Sequence, residues 1–385
     1  MFVLLAFGAG MARAADPQPY KVNIQGTGSG EMDAVLRSSS QLASLQDKVP
    51  VPPFALVQRA QADIARFQTA LDSFGYYLNG VTIKIAGHPL SDPELPGFLD
   101  DAPSNPPVTV DVALDKGPLF HLGTIAFDGT VPAAGRNAVR IKSGDPAIAN
   151  AVLDAQAQLL AALQEDGYAL ATVEAPIAFA DNEKHEVNLT YRVVTGPRVN
   201  IGRIVFSGLK DVHEDFVRKV LTVKPGDRYR PSRIEEARQK VAALGVFSGV
   251  TVHAATRLDA DGRIALTFDM QERPRHAVTL TGAYSTDLGV SLGATWSHRN
   301  LFGNAEQLNL SAAGTGLGTA TSGLGYNLGA QFIKPQFLRP DQTLEFDILG
   351  VRQQLEAYDQ TAESASVYLR RKFSPLWSGS LGASL

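Results

Sequence analysis

An internal repeat limits what this chain can fold into more than any other feature. Gly117-Pro118-Leu119-Phe120-His121-Leu122-Gly123-Thr124-Ile125-Ala126-Phe127-Asp128-Gly129 matches Gly196-Pro197-Arg198-Val199-Asn200-Ile201-Gly202-Arg203-Ile204-Val205-Phe206-Ser207-Gly208, a period of 79 residues. Further on, Lys142-Ser143-Gly144-Asp145 answers Lys224-Pro225-Gly226-Asp227, and the run 189–194 answers 266–271. A period of this length is one small folded unit used again, so a single reading serves every copy. A degenerate earlier copy spans about residues 20–116, with Val22 and Ile24 in its first strand, Gly75-Tyr76-Tyr77 after its second helix, and 110–114 closing it.

The last copy reads as strand, helix, helix, strand, strand. A helix is predicted over 213–221, with Phe216, Val217, Val220 and Leu221 on one side. A second carries Ile234, Ala237, Val241 and Leu244 at helical spacing and stops at Gly245. Strands are expected over 249–255 and 264–271, joined by the turn Asp259-Ala260-Asp261-Gly262. In the first copy Val57, Ala60, Ile64, Phe67, Leu71 and Phe74 form a continuous apolar stripe, which is a core face. Each unit therefore lays two helices on one face of a small sheet. The open sheet edge then offers unpaired backbone groups that can accept an extended peptide whatever its sequence.

Beyond Glu272-Arg273-Pro274 the helical period gives way to a period of two. In Val290-Ser291-Leu292-Gly293-Ala294-Thr295-Trp296-Ser297 every second residue is apolar and the others are small or polar. Leu324, Tyr326, Leu328, Ala330 and Phe332 repeat the pattern, as do Leu344, Phe346 and Ile348, then Val367 and Leu369. Seven strands are expected before Leu385. Segments of about ten such residues suit a wall with lipid on one side and a polar lumen on the other. A soluble β-sandwich also alternates, but the strand length, the Gly, Ser and Thr on the polar face, and an export signal favour a membrane barrel. That signal is expected over residues 1–14, where an apolar run from Met1 to Met11 precedes Ala12-Arg13-Ala14. The run is shorter than the roughly 20 residues a spanning helix needs, and no later apolar run is long enough. A membrane crossing would have to be a barrel.

Composition removes several function classes. The formal net charge of −4 lacks the broad positive field of a nucleic-acid binder, so no nucleic-acid partner is expected. The absence of cysteine excludes disulfides and thiolate nucleophiles. The seven histidines (His88, His121, His185, His213, His253, His276, His298) never fall at i, i+3 or i, i+4, so no metal site is legible. Gly289-Val290-Ser291-Leu292-Gly293 matches the Gly-x-Ser-x-Gly pattern, but Ser291 sits in mid-strand where a nucleophile elbow needs a strand-to-helix turn. Gly26-Thr27-Gly28-Ser29-Gly30 lacks the Lys-Ser/Thr ending of a phosphate loop and marks a turn. No catalytic residue, metal or cofactor is expected, and the chain is read as a non-enzyme.

These residues carry a resemblance. The βααββ unit resembles the polypeptide-transport-associated (POTRA) domain. Tyr284-Ser285-Thr286-Asp287-Leu288-Gly289 and Trp296-Ser297-His298-Arg299-Asn300-Leu301-Phe302-Gly303-Asn304-Ala305-Glu306 resemble the first barrel hairpins of the BamA/TamA outer-membrane assembly family. Three repeats directly behind an export signal are most similar to the TamA branch; Ala305 stands where the family more often has glycine.

The resemblance implies an α+β periplasmic arm of three POTRA-like repeats over residues 20–116, 117–195 and 196–275, then the N-terminal strands of an incomplete transmembrane antiparallel β-barrel over 276–385. It implies a cell outer-membrane location with the repeats in the periplasm. Unfolded or β-barrel client proteins, outer-membrane lipid and an inner-membrane partner of TamB type are the implied partners. The implied site residues are the barrel hairpin motif Trp296, Arg299, Asn300, Leu301, Phe302, Gly303 and Glu306. A lateral-gate strand would consist of Ala277, Val278, Thr279, Leu280, Thr281, Gly282, Ala283 and Tyr284, where client strands pair before release into lipid. A two-partner secretion transporter, a barrel-anchored envelope enzyme and a passive porin stand as the alternatives.

Overall fold

The computed structural model describes residues 18–48, 51–103, 105–285, 289–317, 323–354, 359–374 and 376–385. The expected export signal and the cleavage point after Ala14 lie outside them. Two compact units divide the chain, Met1–Leu163 with Ala171–Thr195, and Gln164–Leu170 with Gly196–Leu385. Among the described residues no helix is long and apolar enough to cross a membrane.

The first unit begins with β1 (Tyr20–Ile24), α1 (Gly30–Ser39), α2 (Gln41–Leu45), α3 (Pro53–Ser73), β2 (Gly80–Ile85), β3 (His88–Pro89), α4 (Leu95–Asp100) and β4 (Val108–Asp115). It continues with β5 (His121–Asp128), α5 (Ala133–Ala138), α6 (Ala149–Glu165), β6 (Thr172–Val173), β7 (Ile177–Asp181) and β8 (Glu186–Val194). The third repeat holds β9 (Ile201–Ser207), α7 (Glu214–Val220), α8 (Pro231–Ala242), β10 (Phe247–Leu258) and β11 (Ile264–Glu272).

All three repeats share one topology. The first strand runs parallel to the last, and the middle strand pairs antiparallel on the last strand's other side. The last strand is thus central in every copy, and its residues alternate cleanly. Val108, Val110 and Val112 are buried, as are Val187, Leu189, Tyr191 and Val193, and Ile264, Leu266, Phe268 and Met270. One face of each central strand meets the helices while the other stays polar, which is what a period of two requires of a one-sided sheet.

The sequence repeat is also a repeat of local bonds. Asp145 accepts the backbone N–H of Lys142 at 2.8 Å, and Asp227 accepts that of Lys224 at 2.8 Å. Gly129 and Gly208 both take positive φ, and a Cβ on either would strike a carbonyl of the central strand, at Val193 and Met270 respectively. Only glycine fits that approach.

The first repeat departs from the expected order because α2, β3 and α4 are added to it. Asp63, on the buried face of α3, explains the first addition. Its carboxylate accepts the Ser40 hydroxyl (2.7 Å) and the N–H groups of Gln41 (3.0 Å) and Leu42 (2.8 Å), so it caps α2 from a neighbouring helix. Arg66 supplies the countercharge at 2.9 Å. The middle strand of the second repeat is broken into β6 and β7, and β10 is longer than expected because bulges let it follow β11 along its length.

Seven strands follow: β12 (His276–Ser285), β13 (Gly289–His298), β14 (Gln307–Leu317), β15 (Gly323–Lys334), β16 (Gln342–Gln354), β17 (Asp359–Lys372) and β18 (Ser378–Ser384). Each pairs antiparallel with the next, and the sheet is open, ending at β12 and β18. Cross-strand partners share a face, so the register sorts the side chains. Leu280, Leu292, Leu310, Leu328, Phe346, Val367 and Leu381 lie on one face with Val278, Trp296, Phe332, Ile348 and Leu369. The opposite face carries Thr279, Thr281, Thr295, Ser311, Asn309, Gln331, Glu345, Asp347 and Ser366.

Side chains bond across four strands of the polar face. Asn309 donates to Gln331 (3.0 Å), Gln331 donates to Glu345 (2.7 Å) and Asp347 (2.9 Å), and Arg370 pairs with Glu345 (2.7 Å). On the apolar face Leu280, Ile348 and Leu381 are more than 60% exposed, with no protein layer over them among the described residues. An aliphatic face that stays uncovered while the opposite face is polar and internally bonded matches the wall of a membrane barrel and contradicts a sandwich core.

Two outcomes test this packing. Asp63→Ala leaves a hydroxyl and two amides without their acceptor and is expected to cost about 3 kcal/mol in urea unfolding. Tyr191 is fully buried and donates its hydroxyl to the Val152 carbonyl at 2.9 Å. Burial pushes its phenol up to about 12, against about 10 in an unfolded chain. The native state therefore holds this proton more tightly. Its contribution is complete below about pH 10 and fades as the pH rises toward about 12. The unfolding midpoint should fall across that window, and fall less in Tyr191→Phe.

Candidate functional site at the turn against the third repeat

The turn 299–306 between β13 and β14 is held by the loop that follows β9. The holding begins with Glu272, the last residue of β11, whose carboxylate accepts the backbone N–H groups of Lys210 (2.8 Å), Asp211 (3.1 Å) and Val212 (3.0 Å). Three donors on one carboxylate fix the loop's path, each charge-assisted bond being stronger than a neutral one. Arg275, three residues on, pairs with the Asp211 carboxylate at 2.8 Å. The Asp211 carbonyl is left facing the turn.

Asn300 bridges the two segments. Its Nδ2 donates to the Asp211 carbonyl (2.8 Å) and its Oδ1 accepts the Ala305 N–H (2.9 Å), so one buried amide side chain closes the turn and ties it to the repeat. The Leu301 N–H donates to the Glu306 carbonyl (2.9 Å), and the buried Glu306 carboxylate accepts the Asn304 N–H (3.0 Å). The His213 N–H donates to the Gly303 carbonyl at 2.9 Å. Gly303 has φ +90, and a Cβ there would lie 2.5 Å from the His213 ring. Arg299 completes the site: its N–H reaches the Arg275 carbonyl (2.8 Å) and its guanidinium the Pro274 carbonyl (3.0 Å).

Ala305 has φ +60 and is fully buried, and its methyl belongs to the third repeat's core with Phe216, Val241 and Phe268. A glycine would fit the backbone better; the alanine adds packing. The turn therefore has a side chain inside the repeat's core, and one apolar cluster serves both elements. A second link joins Lys240 on α8 to Asp341 in the turn between β15 and β16, at 3.2 Å.

Of the hairpin motif, Asn300, Gly303 and Glu306 build this site and Arg299 flanks it. Phe302 is 63% exposed and touches none of its bonds. Trp296 lies away on the apolar face, stacked on His276 at 5.5 Å. His276 and His298 are direct cross-strand partners, a closeness that chain spacing could not reveal. Among the described residues no three metal-ligating side chains cluster. Ser291 lies within β13, with no helix after it. The lateral-gate residues 277–284 all lie on β12, whose outer edge pairs with no strand among the described residues. Sequence reasoning missed Asp211, His213, Glu272 and Arg275, whose partners lie about 60 to 90 residues away and leave no local pattern.

A family model described as POTRA, surface antigen variable number repeat, matches residues 132–196 and 199–273. The outer membrane protein assembly factor BamA of Neorickettsia risticii is 28% identical over 181 residues, covering 47% of this chain and 24% of that protein. BamA of Neisseria meningitidis serogroup B is 21% identical over 264 residues, covering 67% of this chain and 31% of that protein. The chain thus spans a quarter to a third of the length of these relatives. The crystal structure of BamA from Haemophilus ducreyi lacking POTRA domains 1–3 superposes with a TM-score of 0.59 at 18% identity, over 69% of this chain and 50% of that one, which shows a shared fold.

Amide hydrogen exchange at Leu301 and Ala305 tests the site. Asn300→Ala and Gly303→Ala should each speed exchange by about fivefold or more, since each costs on the order of 1–3 kcal/mol. Ala305→Gly should stay within about threefold, because relief of the left-handed backbone (about 1 kcal/mol) offsets the lost methyl burial (about 0.8 kcal/mol).

Proposed function

We propose that this chain is a POTRA-bearing outer-membrane protein of the BamA/TamA type, and that it assembles or translocates client proteins at the outer membrane without covalent chemistry. The observation that carries this reading is the two-faced sheet ending in the open-edged strand β12, joined by the Asn300 turn to a repeat that can receive peptide. In lipid an unpaired strand edge costs several kcal/mol per unsatisfied group, so a client strand arriving at residues 277–284 is strongly favoured there. Pairing with β12 followed by release into the bilayer is the lateral-gate step.

The repeats supply the earlier step. In the second repeat, Ile177 and Phe179 are 53% and 70% exposed on the edge strand β7. An extended client segment would gain backbone bonds from that edge and cover both side chains. An inner-membrane partner of TamB type, presenting its own strand, would use the same chemistry on the first repeat's edge. The repeats would then lie in the periplasm.

The turn at Asn300 ties the third repeat to β13–β14, so a peptide on the third repeat would be held close to β12. A photocrosslinker at Thr281 in β12 or Ala178 in β7 should capture client chains, and one at Ala330 in mid-sheet or at exposed Lys219 on α7 should not. Equal capture at all four positions would sink the strand-pairing mechanism.

A further inference from the structure

The two ends of the seven-stranded sheet differ sharply in charge. At the end nearest the third repeat, residues 334–341 and 369–380 contain Lys334, Arg339, Arg370, Arg371 and Lys372 against one acid, Asp341. Asp341 is answered by Lys240 and Arg370 by Glu345. Among the described residues, Lys334, Arg339, Arg371 and Lys372 have no carboxylate partner in an ion pair. Among the described residues, the far ends carry Asp359 and Glu363 against Arg352. With a net charge of −4 for the whole chain, a local cationic surplus of this size is a property of this rim and not of the composition.

Register places two of these cations on the apolar face. Lys334 pairs with Leu344 and follows Phe332 by two, and Arg371 pairs with Gln342 and follows Leu369 by two. Each stands one alternation past the last apolar residue on that face of its strand. In the adjoining turns Leu338, Phe373, Leu376 and Trp377 are 82%, 65%, 91% and 74% exposed, and the Arg371 guanidinium lies 5.5 Å from the Phe373 ring centre. Long cationic side chains at the edge of an apolar band, beside exposed aromatic rings, suit a boundary where acyl chains give way to charged headgroups. Water alone would favour burying those four side chains.

We propose that this rim is a docking surface for anionic phospholipid headgroups of the leaflet on the repeat side. Trp377, Leu376, Phe373 and Leu338 enter the headgroup boundary, and Lys334 and Arg371 meet lipid phosphates. The local leaflet beside β15–β18 is thereby enriched in anionic lipid. The proposal rests on the reading of the sheet as a membrane-spanning wall, and the tryptophans separate the two, because the chain has only Trp296 and Trp377.

The test uses this 385-residue chain, whose two tryptophans can be removed one at a time, in mixed vesicles of phosphatidylcholine and phosphatidylglycerol, with bromine placed on one lipid or the other. In W377F, Trp296 on the apolar face reports spanning; no quenching there overturns both the spanning reading and this proposal. In W296F, Trp377 should be quenched severalfold more by brominated phosphatidylglycerol than by brominated phosphatidylcholine at equal fraction. K334Q/R371Q should remove most of that preference, as should high salt. Equal quenching by the two lipids, with Trp296 still quenched, overturns the headgroup site alone. Inorganic phosphate at matched ionic strength should leave the ratio unchanged; its loss would assign the cations to soluble phosphate and overturn the lipid assignment.

Discussion

Every backbone N–H and C=O that leaves water must find a partner, and this structure is arranged around that requirement. In each repeat the last strand is placed in the centre, bonded on both sides, and there it carries the most deeply buried alternating residues. The strands with a free edge are the first strand of each repeat and the middle strand of the second and third, whereas β3 covers part of the middle strand in the first; free edges remain where water or a peptide can complete them. In the seven-stranded sheet the same rule gives consecutive antiparallel pairing from β12 to β18, so unpaired groups gather at the two outermost strands. The edges are where a further chain could be joined.

Polar side chains are used sparingly and at joints. Asp63 caps a helix that is not its own, Glu272 gathers three amides, and Asn300 satisfies one donor and one acceptor from two different segments. Each is a buried or half-buried group whose cost is met by specific partners, and each fixes a junction that apolar packing alone would leave free to slide. The turn at residues 299–306 combines both means, since Asn300 sets its position and Ala305 anchors it in a core. A junction secured in two independent ways carries the third repeat and the start of the sheet as one body.

Much of the fold was legible from the sequence, for reasons that particular elements make plain. The stripe on α3 and the alternation of 264–270 are periodic within one element, and a period determines which face is buried before any partner is known. The 79-residue repeat then extended one reading over three domains, and the seven strands followed from a change of period at residue 275. The added α2 escaped notice because it depends on Asp63 reaching back to residues 40–42, and a lone carboxylate on a helix has no periodic signature; β3 and α4, at 2 and 6 residues, are too short to show a period.

By itself the sequence determined the repeat, the helical and strand periods, the two-faced character of residues 276–385, and the glycines that permit the tight turns, because all of these are short-range properties of side-chain size and polarity. Tertiary structure alone decided that the last strand of each repeat is central, that His276 faces His298, and that Ala305 enters the third repeat's core. It also decided that Asn300 meets the Asp211 carbonyl, 89 residues away. The physical reason is that a buried polar or small group is specified by whatever the completed fold brings within about 3 Å of it, and that neighbour is set by the register of the whole sheet.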